Sequence, residues 1–542
     1  MRKVNVPFFF ISIISIMYSV WAVFYILSTS FIAMNGSRYF SLLDDAMISM
    51  RYAWNFSHGM GLVWNAGEYI EGYTNLLTTL LMSLVTFFFD KKISVAIVQF
   101  LGIPTVLFTA WTAKRIFDET NPLPISLFSA MAYMLAILYY PLSYWSLFGM
   151  ETGLLSVLSL SGVVFTLRWL KDFDERNLRL LALCWGLSFL ARNDALIIIG
   201  ISYLYLLWSV IVAKRYDLLK KVIWAGVITA LFVCGQTLFR WVYYGDVLPN
   251  TYYLKLGKIP LTVRVNDGLL YSWDFFQEHW ILLSLAAASV LLFPSRNKWY
   301  LASLISGALF YQMWVGGDSW GRWRFVTPVI PHAVVLVSLL LVEICAAIKR
   351  KMADNMSAAR FAGALNFMLA LLVSAVLAAE FLSPYYREVV SSQKVPDVIR
   401  NNHNVNVAIA LEAITTPDAT IGVFWAGSIP YYTGRYSIDF LGKSDRFIAD
   451  LYPWLPSKVV WFEKTTLPGH NKYDLFHSIK DLQPTYIQKF WYGEQTLRTW
   501  GTRNYVRFEY KEGVSTYTLI VKKDSPDVNW ERGTIIPWGN DE

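Results

Sequence analysis

Asp44-Asp45-Ala46-Met47-Ile48-Ser49-Met50-Arg51-Tyr52-Ala53-Trp54-Asn55-Phe56 follows a hydrophobic run at about 8–33 and leads on to Glu71-Gly72-Tyr73-Thr74-Asn75. A helix needs roughly 20 apolar residues to cross a bilayer, so the run is long enough and the two carboxylates stand at its exit. A charge reaching the bilayer centre costs roughly 2.5–3.5 kcal/mol, and charges near lipid are usually there for function. Aspartate ahead of an amphipathic run also caps a helix start. One carboxylate would suffice for that, so the pair marks a candidate site.

Outward from this stretch the chain is apolar. Of its residues 55% are hydrophobic and 17% aromatic, with only 16% charged, which excludes a soluble globular class. The formal net charge of +8 does not point to nucleic acid, because the basic residues sit in short clusters between apolar runs, where the positive-inside rule places them. Cys184, Cys234 and Cys345 all lie in apolar stretches, so neither a disulfide framework nor a metal cluster is indicated. Met1-Arg2-Lys3 before the first run reads as a retained anchor with its start inside, since the run exceeds a signal peptide and lacks a cleavage site.

With that start inside, the aspartates emerge on the outer face. Residues 75–89 are apolar but short, and they precede Lys91-Lys92; counted as a juxtamembrane or re-entrant helix, they leave every other inner loop basic. Spans are then expected at about 93–113, 123–143, 151–170, 179–192, 195–213, 222–240, 279–294, 299–315, 327–347 and 361–383, about eleven with the first. The fold class is an α-helical polytopic membrane protein, residues 1–383, followed by a soluble α/β domain, residues 384–542, on the same outer side as the aspartates. In that domain 420–425 and 486–490 read as strands and 505–510 with 515–521 as a hairpin, while 404–415 reads as a helix and 471–483 as a further helical segment.

The polar residues outside the basic inner loops collect on the outer face. Besides Asp44, Asp45 and Glu71 they include Glu151 at the start of a span, Arg192-Asn193-Asp194 between two apolar runs, and the segment from Gly245-Asp246 through Asn250, Tyr252 and Lys255. Gly316-Gly317-Asp318-Ser319-Trp320-Gly321-Arg322-Trp323-Arg324-Phe325 adds two arginines among aromatics. Glu151 also suits a helix's first turn, Arg192 and Asp194 could satisfy each other, and interfacial arginines can snorkel beside tryptophans. Arginines in a short outer loop otherwise meet anions, and the guanidinium fork fits phosphate. Carboxylates with phosphate-binding cations form a set able to move a group from a lipid phosphate to a hydroxyl: one accepts the proton, the others stabilise the leaving phosphate. Donor-binding candidates are Arg192, Lys255, Arg322 and Arg324; supporting or acceptor-binding candidates are Glu71, Glu151, Asn250, Tyr252, Asp318 and His470.

These residues resemble a known family. The aspartate pair, Arg51-Tyr52-Ala53, Gly61-Leu62-Val63-Trp64-Asn65 and Glu71-Gly72-Tyr73-Thr74-Asn75 are similar to the opening of GT-C glycosyltransferases that use polyprenyl-phosphate sugars, in the branch of terminal arabinofuranosyltransferases and pilin arabinosyltransferases. Gly149-Met150-Glu151-Thr152, the Gly245-Asp246 to Tyr253 segment, Gly316-Gly317-Asp318, Gly434-Arg435-Tyr436-Ser437-Ile438-Asp439-Phe440-Leu441-Gly442 and Pro468-Gly469-His470 continue the likeness. It implies a multi-pass enzyme of a bacterial inner membrane with an extracytoplasmic C-terminal domain, a polyprenyl-phosphate-sugar donor and a glycan or pilin-like acceptor. It also implies Asp44 as catalytic base, with Asp45 supporting it or binding a divalent cation. Where related chains often carry Arg-Pro-Glu-Gly, this one has Arg192-Asn193-Asp194-Ala195 with a shorter carboxylate. Two other classes compete: a transporter, which would place its site at the midplane on broken helices, and a non-enzymatic envelope sensor or assembly protein.

Overall fold

Two blocks of different composition fold in different ways, helices up to about residue 390 and a mixed sheet beyond. The computed structural model describes residues 6–121, 126–351, 356–391, 395–456, 460–490, 495–513 and 515–538; the N-terminal Arg2 and Lys3 lie outside them. In the first block α1 (Val6–Thr29) leads through a short hairpin, β1 (Phe31–Ile32) against β2 (Arg38–Tyr39), into α2 (Asp44–Ser57) and α3 (Leu76–Phe88). Then come α4 (Lys91–Thr120), α5 (Ser126–Leu138), α6 (Tyr140–Leu147), α7 (Thr152–Asp172), α8 (Glu175–Ala191), α9 (Leu196–Val212) and α10 (Leu219–Tyr244). The block closes with α11 (Asn250–Leu256), α12 (Leu261–Glu278), α13 (Trp280–Leu292), α14 (Arg296–Val315), α15 (Ile330–Lys351), α16 (Met356–Leu382) and the short α17 (Tyr386–Val390).

Among the described residues seven helices are long and apolar enough to cross a membrane, or nine if two bent pairs, α5–α6 at 54° and α12–α13 at 87°, are each one span. This is fewer than the eleven expected. The two expected spans that fall short are α8, only 17 residues long with Glu175 in its first turn, and α14, whose start carries Arg296 and Lys298. α3 has 13 residues, in keeping with a juxtamembrane helix. Lys91 and Lys92, the basic pair that violated the charge pattern, have local partners. Lys91 Nζ donates to the Tyr432 carbonyl at 2.8 Å and lies over the Trp54 ring, and Lys92 lies over Tyr39. At the opposite end of the bundle Lys114, Arg115, Arg168 and Lys171 gather around Asp118 and Glu119.

The second block holds α18 (Pro396–Ile414), α19 (Ser428–Thr433) and a six-stranded sheet of β3 (Ile421–Val423), β4 (Ser437–Asp439), β5 (Tyr486–Ile487), β6 (Tyr505–Glu512), β7 (Ser515–Lys522) and β8 (Gly533–Ile536). Its order is β4-β3-β5-β7-β6-β8; β3 pairs parallel with both neighbours and the remaining pairs are antiparallel. The expected hairpin is β6–β7, closed by Gly513 at φ 59°, a left-handed conformation that glycine adopts without strain. The strands expected at 420–425 and 486–490 are shorter, β4 and β8 went unforeseen, and 471–483 contributes one turn at Phe476–Asp481.

The two blocks are stapled by Arg51 on α2. Its buried guanidinium donates to the carbonyls of Trp64 (2.5 Å), Arg435 (2.7 Å) and Pro430, and to Asn65 Oδ1 (2.9 Å). A buried charge is tolerable when every donor is used. Arg51 therefore fixes the first turns of α2, and the two aspartates with them, against the sheet domain.

Candidate active site

Asp44 and Asp45 occupy the first turn of α2, where the helix dipole favours negative charge. Neither side chain caps the helix, and the two point to different surroundings. Asp45 lines a small polar cavity of about 60 Å³ with Glu151, Arg192, Lys255, Arg324 and Lys443. Its Oδ2 accepts from Arg324 Nη1 at 2.8 Å and its Oδ1 from Lys443 Nζ. Burial alone would raise Asp45, but Lys443, Arg324 and Lys255 outweigh it and hold the carboxyl well below the usual carboxylate range. Asp44 sits behind this cavity, and its Oδ1 accepts from the Gly427 backbone N–H, in the sheet domain, at 3.1 Å. Burial raises it to about 7 against the opposing field of Lys443.

The polar cavity adjoins a larger chamber of about 450 Å³ lined by Phe189, Val233, Val247, Leu248, Leu256, Tyr311, Val315 and Phe325 among others. Thr74, Arg192, Thr251, Lys255 and Phe325 line both, so the cations stand where the apolar chamber meets the polar pocket. Arg192 clasps Asp194 through Nε at 3.0 Å and Nη2 at 2.5 Å and lies 4.0 Å from the Phe325 ring centroid. Its Nη1 is buried without a hydrogen-bond partner. Leaving a charged donor unpaired in a buried site costs more than the bond would contribute, so this atom is available to an anion. Lys255 makes no ion pair among the described residues, and burial, then the field of Arg324, lowers it to about 8.

The other expected site residues divide. Arg324 is clamped by Asp318 at 2.9 and 3.1 Å as well as by Asp45, and Glu151 receives the Asn75 amide at 3.2 Å with Arg192 at 3.8 Å. Tyr252 and Asp318 line the chamber. Glu71 is tied into a buried ion pair with Arg240 at 2.6 Å, and Arg240 also holds Asn193. Asn250 donates its side-chain amide to the carbonyls of Gly442, Lys443 and Asp445, which positions the loop bearing Lys443. His470 accompanies Pro468, a chamber residue; burial lowers it to about 4. Arg322 lies apart from these two cavities: it is paired with Glu388 on α17, lies 4.2 Å from the Tyr144 ring centroid and lines neither of them.

The expected divalent cation at Asp45 does not fit the residues present. Both carboxylate oxygens are occupied by Arg324 and Lys443, and no group of three His, Cys, Asp or Glu side chains among the described residues is placed to hold a metal. Sequence reading missed Lys443, Gly427 and Arg240. Arg240 carried a signal, a charge deep in the apolar α10, far from Lys220 and Lys221 at its start. Lys443 directly follows the Gly434–Gly442 motif, where Asp439 accepts from the backbone N–H groups of Leu441, Gly442 and Ser444 and curls the loop. Nothing local in the sequence marks Gly427.

The fold resembles solved structures. ArnT from Cupriavidus metallidurans bound to undecaprenyl phosphate superposes with a TM-score of 0.53 at 13% identity, over 78% of this chain and 85% of that one. Its apo state gives 0.51 at 13% identity over the same shares. The chain shares the fold of that protein. The archaeal oligosaccharyltransferase AglB from Archaeoglobus fulgidus, in complex with an inhibitory peptide and a dolichol-phosphate, gives 0.49 at 12% identity over 97% of this chain and 75% of that one. A family model described as a domain of unknown function, DUF8728, matches residues 394–521, the greater part of the sheet domain. No curated protein matches the sequence.

Proposed function

We propose that this GT-C protein is a membrane glycosyltransferase that moves a sugar from a polyprenyl-phosphate donor to an extracytoplasmic acceptor, a glycan or a pilin-like protein. The observation that carries the reading is the junction of an apolar chamber with a cationic pocket in which, among the described residues, Arg192 Nη1 is buried without a hydrogen-bond partner and Lys255 makes no ion pair. The chamber takes prenyl units and the cations take the phosphate. That the ArnT structure holds undecaprenyl phosphate supports a donor of this kind. Asp44 and Asp45, with their affinities for protons pushed apart, divide the chemistry. Asp44 takes the acceptor hydroxyl proton as that oxygen bonds to the anomeric carbon. The bond from that carbon to the phosphate oxygen breaks with its electron pair, and Arg192 and Lys255 neutralise the departing phosphate. Asp45 stays ionised and keeps Arg324 and Lys443 in register.

A pentofuranose such as arabinofuranose is the sugar to which the sequence resemblance points. On this reading α8 and α14 complete the count to eleven spans, the start of α1 is cytoplasmic, and the sheet domain and aspartates face outward across a bacterial inner membrane. Reconstituted protein should transfer pentose from synthetic polyprenyl-phosphate pentose to an acceptor, read by mass spectrometry. Movement of labelled sugar across the vesicle without any transfer would instead establish a transporter. A deletion strain with an unaltered envelope glycome and pilin would return the protein to the assembly class.

A further inference from the structure

The sheet domain carries a cluster of large apolar side chains that a water-facing domain does not need. Tyr452 and Phe462 are 80% and 74% exposed, and Trp454 and Trp461 are more than half exposed, all between α19 and the turn at Phe476–Asp481. Single exposed aromatics are ordinary, whereas several large ones close together along the chain mark an interaction surface. The stretch from Phe462 to Thr466 is held in place. Phe462 N–H donates to Asn266 Oδ1 at 2.8 Å, Asn266 Nδ2 to the Glu463 carbonyl at 2.7 Å, and the backbone N–H groups of Thr465 and Thr466 to the Asp267 carboxylate at 2.9 and 2.7 Å. Asn266 and Asp267 are buried, so α12 spends both polar side chains on fastening the segment. Phe462 itself is held at φ 67°, a left-handed conformation that a bulky residue rarely adopts, which fixes where the aromatic ring points.

The helix to which the segment is fastened identifies the partner. α12 is amphipathic: Val263, Asn266, Asp267, Ser272 and Phe275 are buried, while Leu261, Trp273 and Phe276 are exposed. At its end the chain bends by 87° into the apolar α13. A helix that turns sharply into a hydrophobic one while exposing tryptophan and phenylalanine has the form of an interfacial helix, lying along the bilayer surface. The clamp at Asn266 and Asp267 brings Trp461 and Phe462 to that same level. Lys258 at the start of this region pairs with Asp450 at 3.0 Å and lies over Tyr452, leaving a cation beside the aromatics, a combination suited to lipid headgroups.

We propose that the segment around Tyr452, Trp454, Trp461 and Phe462 inserts into the headgroup region of the bilayer and moors the sheet domain to the lipid surface. Leu467 and Pro468 follow directly, and Pro468 lines the large chamber, so the mooring lies next to the chamber wall. The proposal rests on the membrane architecture alone and stands whether or not the transferase reading does.

The test uses the unmodified full-length protein in phosphatidylcholine–phosphatidylglycerol vesicles containing a lipid with a diazirine near the carbonyl end of one acyl chain. After illumination, adducts mapped by mass spectrometry should appear on peptides containing Tyr452, Trp454, Trp461 or Phe462 at least fivefold more often than on those from the β6–β7 hairpin. Equal labelling of the two regions would overturn the proposal. Trp461→Ser with Phe462→Ser, both exposed and without side-chain hydrogen bonds in the fold, should lower labelling of the Tyr452–Trp454 peptide at least twofold; unchanged labelling there would show that the two parts of the segment do not act as one anchor.

Discussion

On the cavity side of the first turn of α2, Asp45 is held by two cations from different parts of the molecule, Arg324 between α14 and α15 and Lys443 in the sheet domain. On the domain side, one residue earlier, Asp44 makes no ion pair among the described residues and accepts instead from a neutral amide, Gly427 N–H. Adjacent residues on a helix point about 100° apart, and here that rotation separates a carboxylate held well below the usual range by Lys443 and Arg324 from one that burial raises to about 7. A low-affinity carboxylate organises charge and a near-neutral one can accept and return a proton at physiological pH. Asp44→Asn keeps the shape and loses the proton acceptor, so turnover should fall by roughly 10²-fold or more with donor binding intact. Asp45→Asn should instead loosen Arg324 and Lys443 and act on the donor KM as well as on kcat. Steady-state kinetics that show the same pattern for both variants would erase the distinction.

Gly427 sharpens the domain side. A Cβ there would lie 2.4 Å from the Asp44 carbonyl oxygen and 2.6 Å from Asp44 Oδ1. The sheet domain can therefore approach α2 this closely only through glycine. Gly427→Ala should cost about 1–3 kcal/mol as overpacking. The effect should appear as faster proteolysis between α17 and α18 and as a lowered Tm for the sheet domain.

Much of this arrangement was legible in the chain. Acidic residues next to an apolar run and cations in outer loops are conspicuous because lipid makes each of them costly, which is why Asp45, Glu151, Arg192, Lys255 and Arg324 were found and do meet in one pocket. Residues brought in from far along the sequence were not legible. Lys443 is 398 positions from Asp45 and looks like any solvent-facing lysine until Asn250 and Asp439 fold its loop. Arg322 shows the converse: its sequence context equals that of Arg324, yet facing the other way it meets Glu388 instead of the cavity. The span count is less legible: α8 has only 17 residues and α14 opens on Arg296 and Lys298, and for such helices hydrophobic periodicity alone does not separate a crossing helix from one packed inside the bundle.

The two arginines and Lys255 give the next measure of the cavity side. Lys255→Met removes a cation without an ion-pair partner, so the donor requirement should rise about tenfold, the value of one charge-assisted contact. Arg192→Lys keeps the charge and loses the fork, and should raise it by a comparable factor. Arg322→Ala should leave donor KM within about twofold, since its partner is Glu388 on α17. Donor titrations of the three purified variants check the order, and a large effect at Arg322 would show that it reaches the lipid phosphate in a state other than this one.

The smallest expected effect is also the most specific to the contrast between the aspartates. Asp44 must be deprotonated to accept a proton, and burial raises it to about 7, so kcat/KM should climb with pH and level off above that value. Lys255 must be protonated to attract phosphate, and with its affinity lowered to about 8, kcat/KM should decline above that pH, giving a narrow bell. Lys443 stabilises the ionised form of Asp44, so Lys443→Met removes an attraction that opposed the effect of burial and should move the acidic limb to higher pH. The same change takes a positive neighbour away from Lys255, which moves the basic limb upward too. Both limbs should therefore shift in one direction, whereas a variant that merely unsettled the fold would lower the whole profile without displacing it. An acidic limb that stays in place in Lys443→Met, measured with the basic limb as internal reference, would mean that the sheet domain does not set the protonation of Asp44.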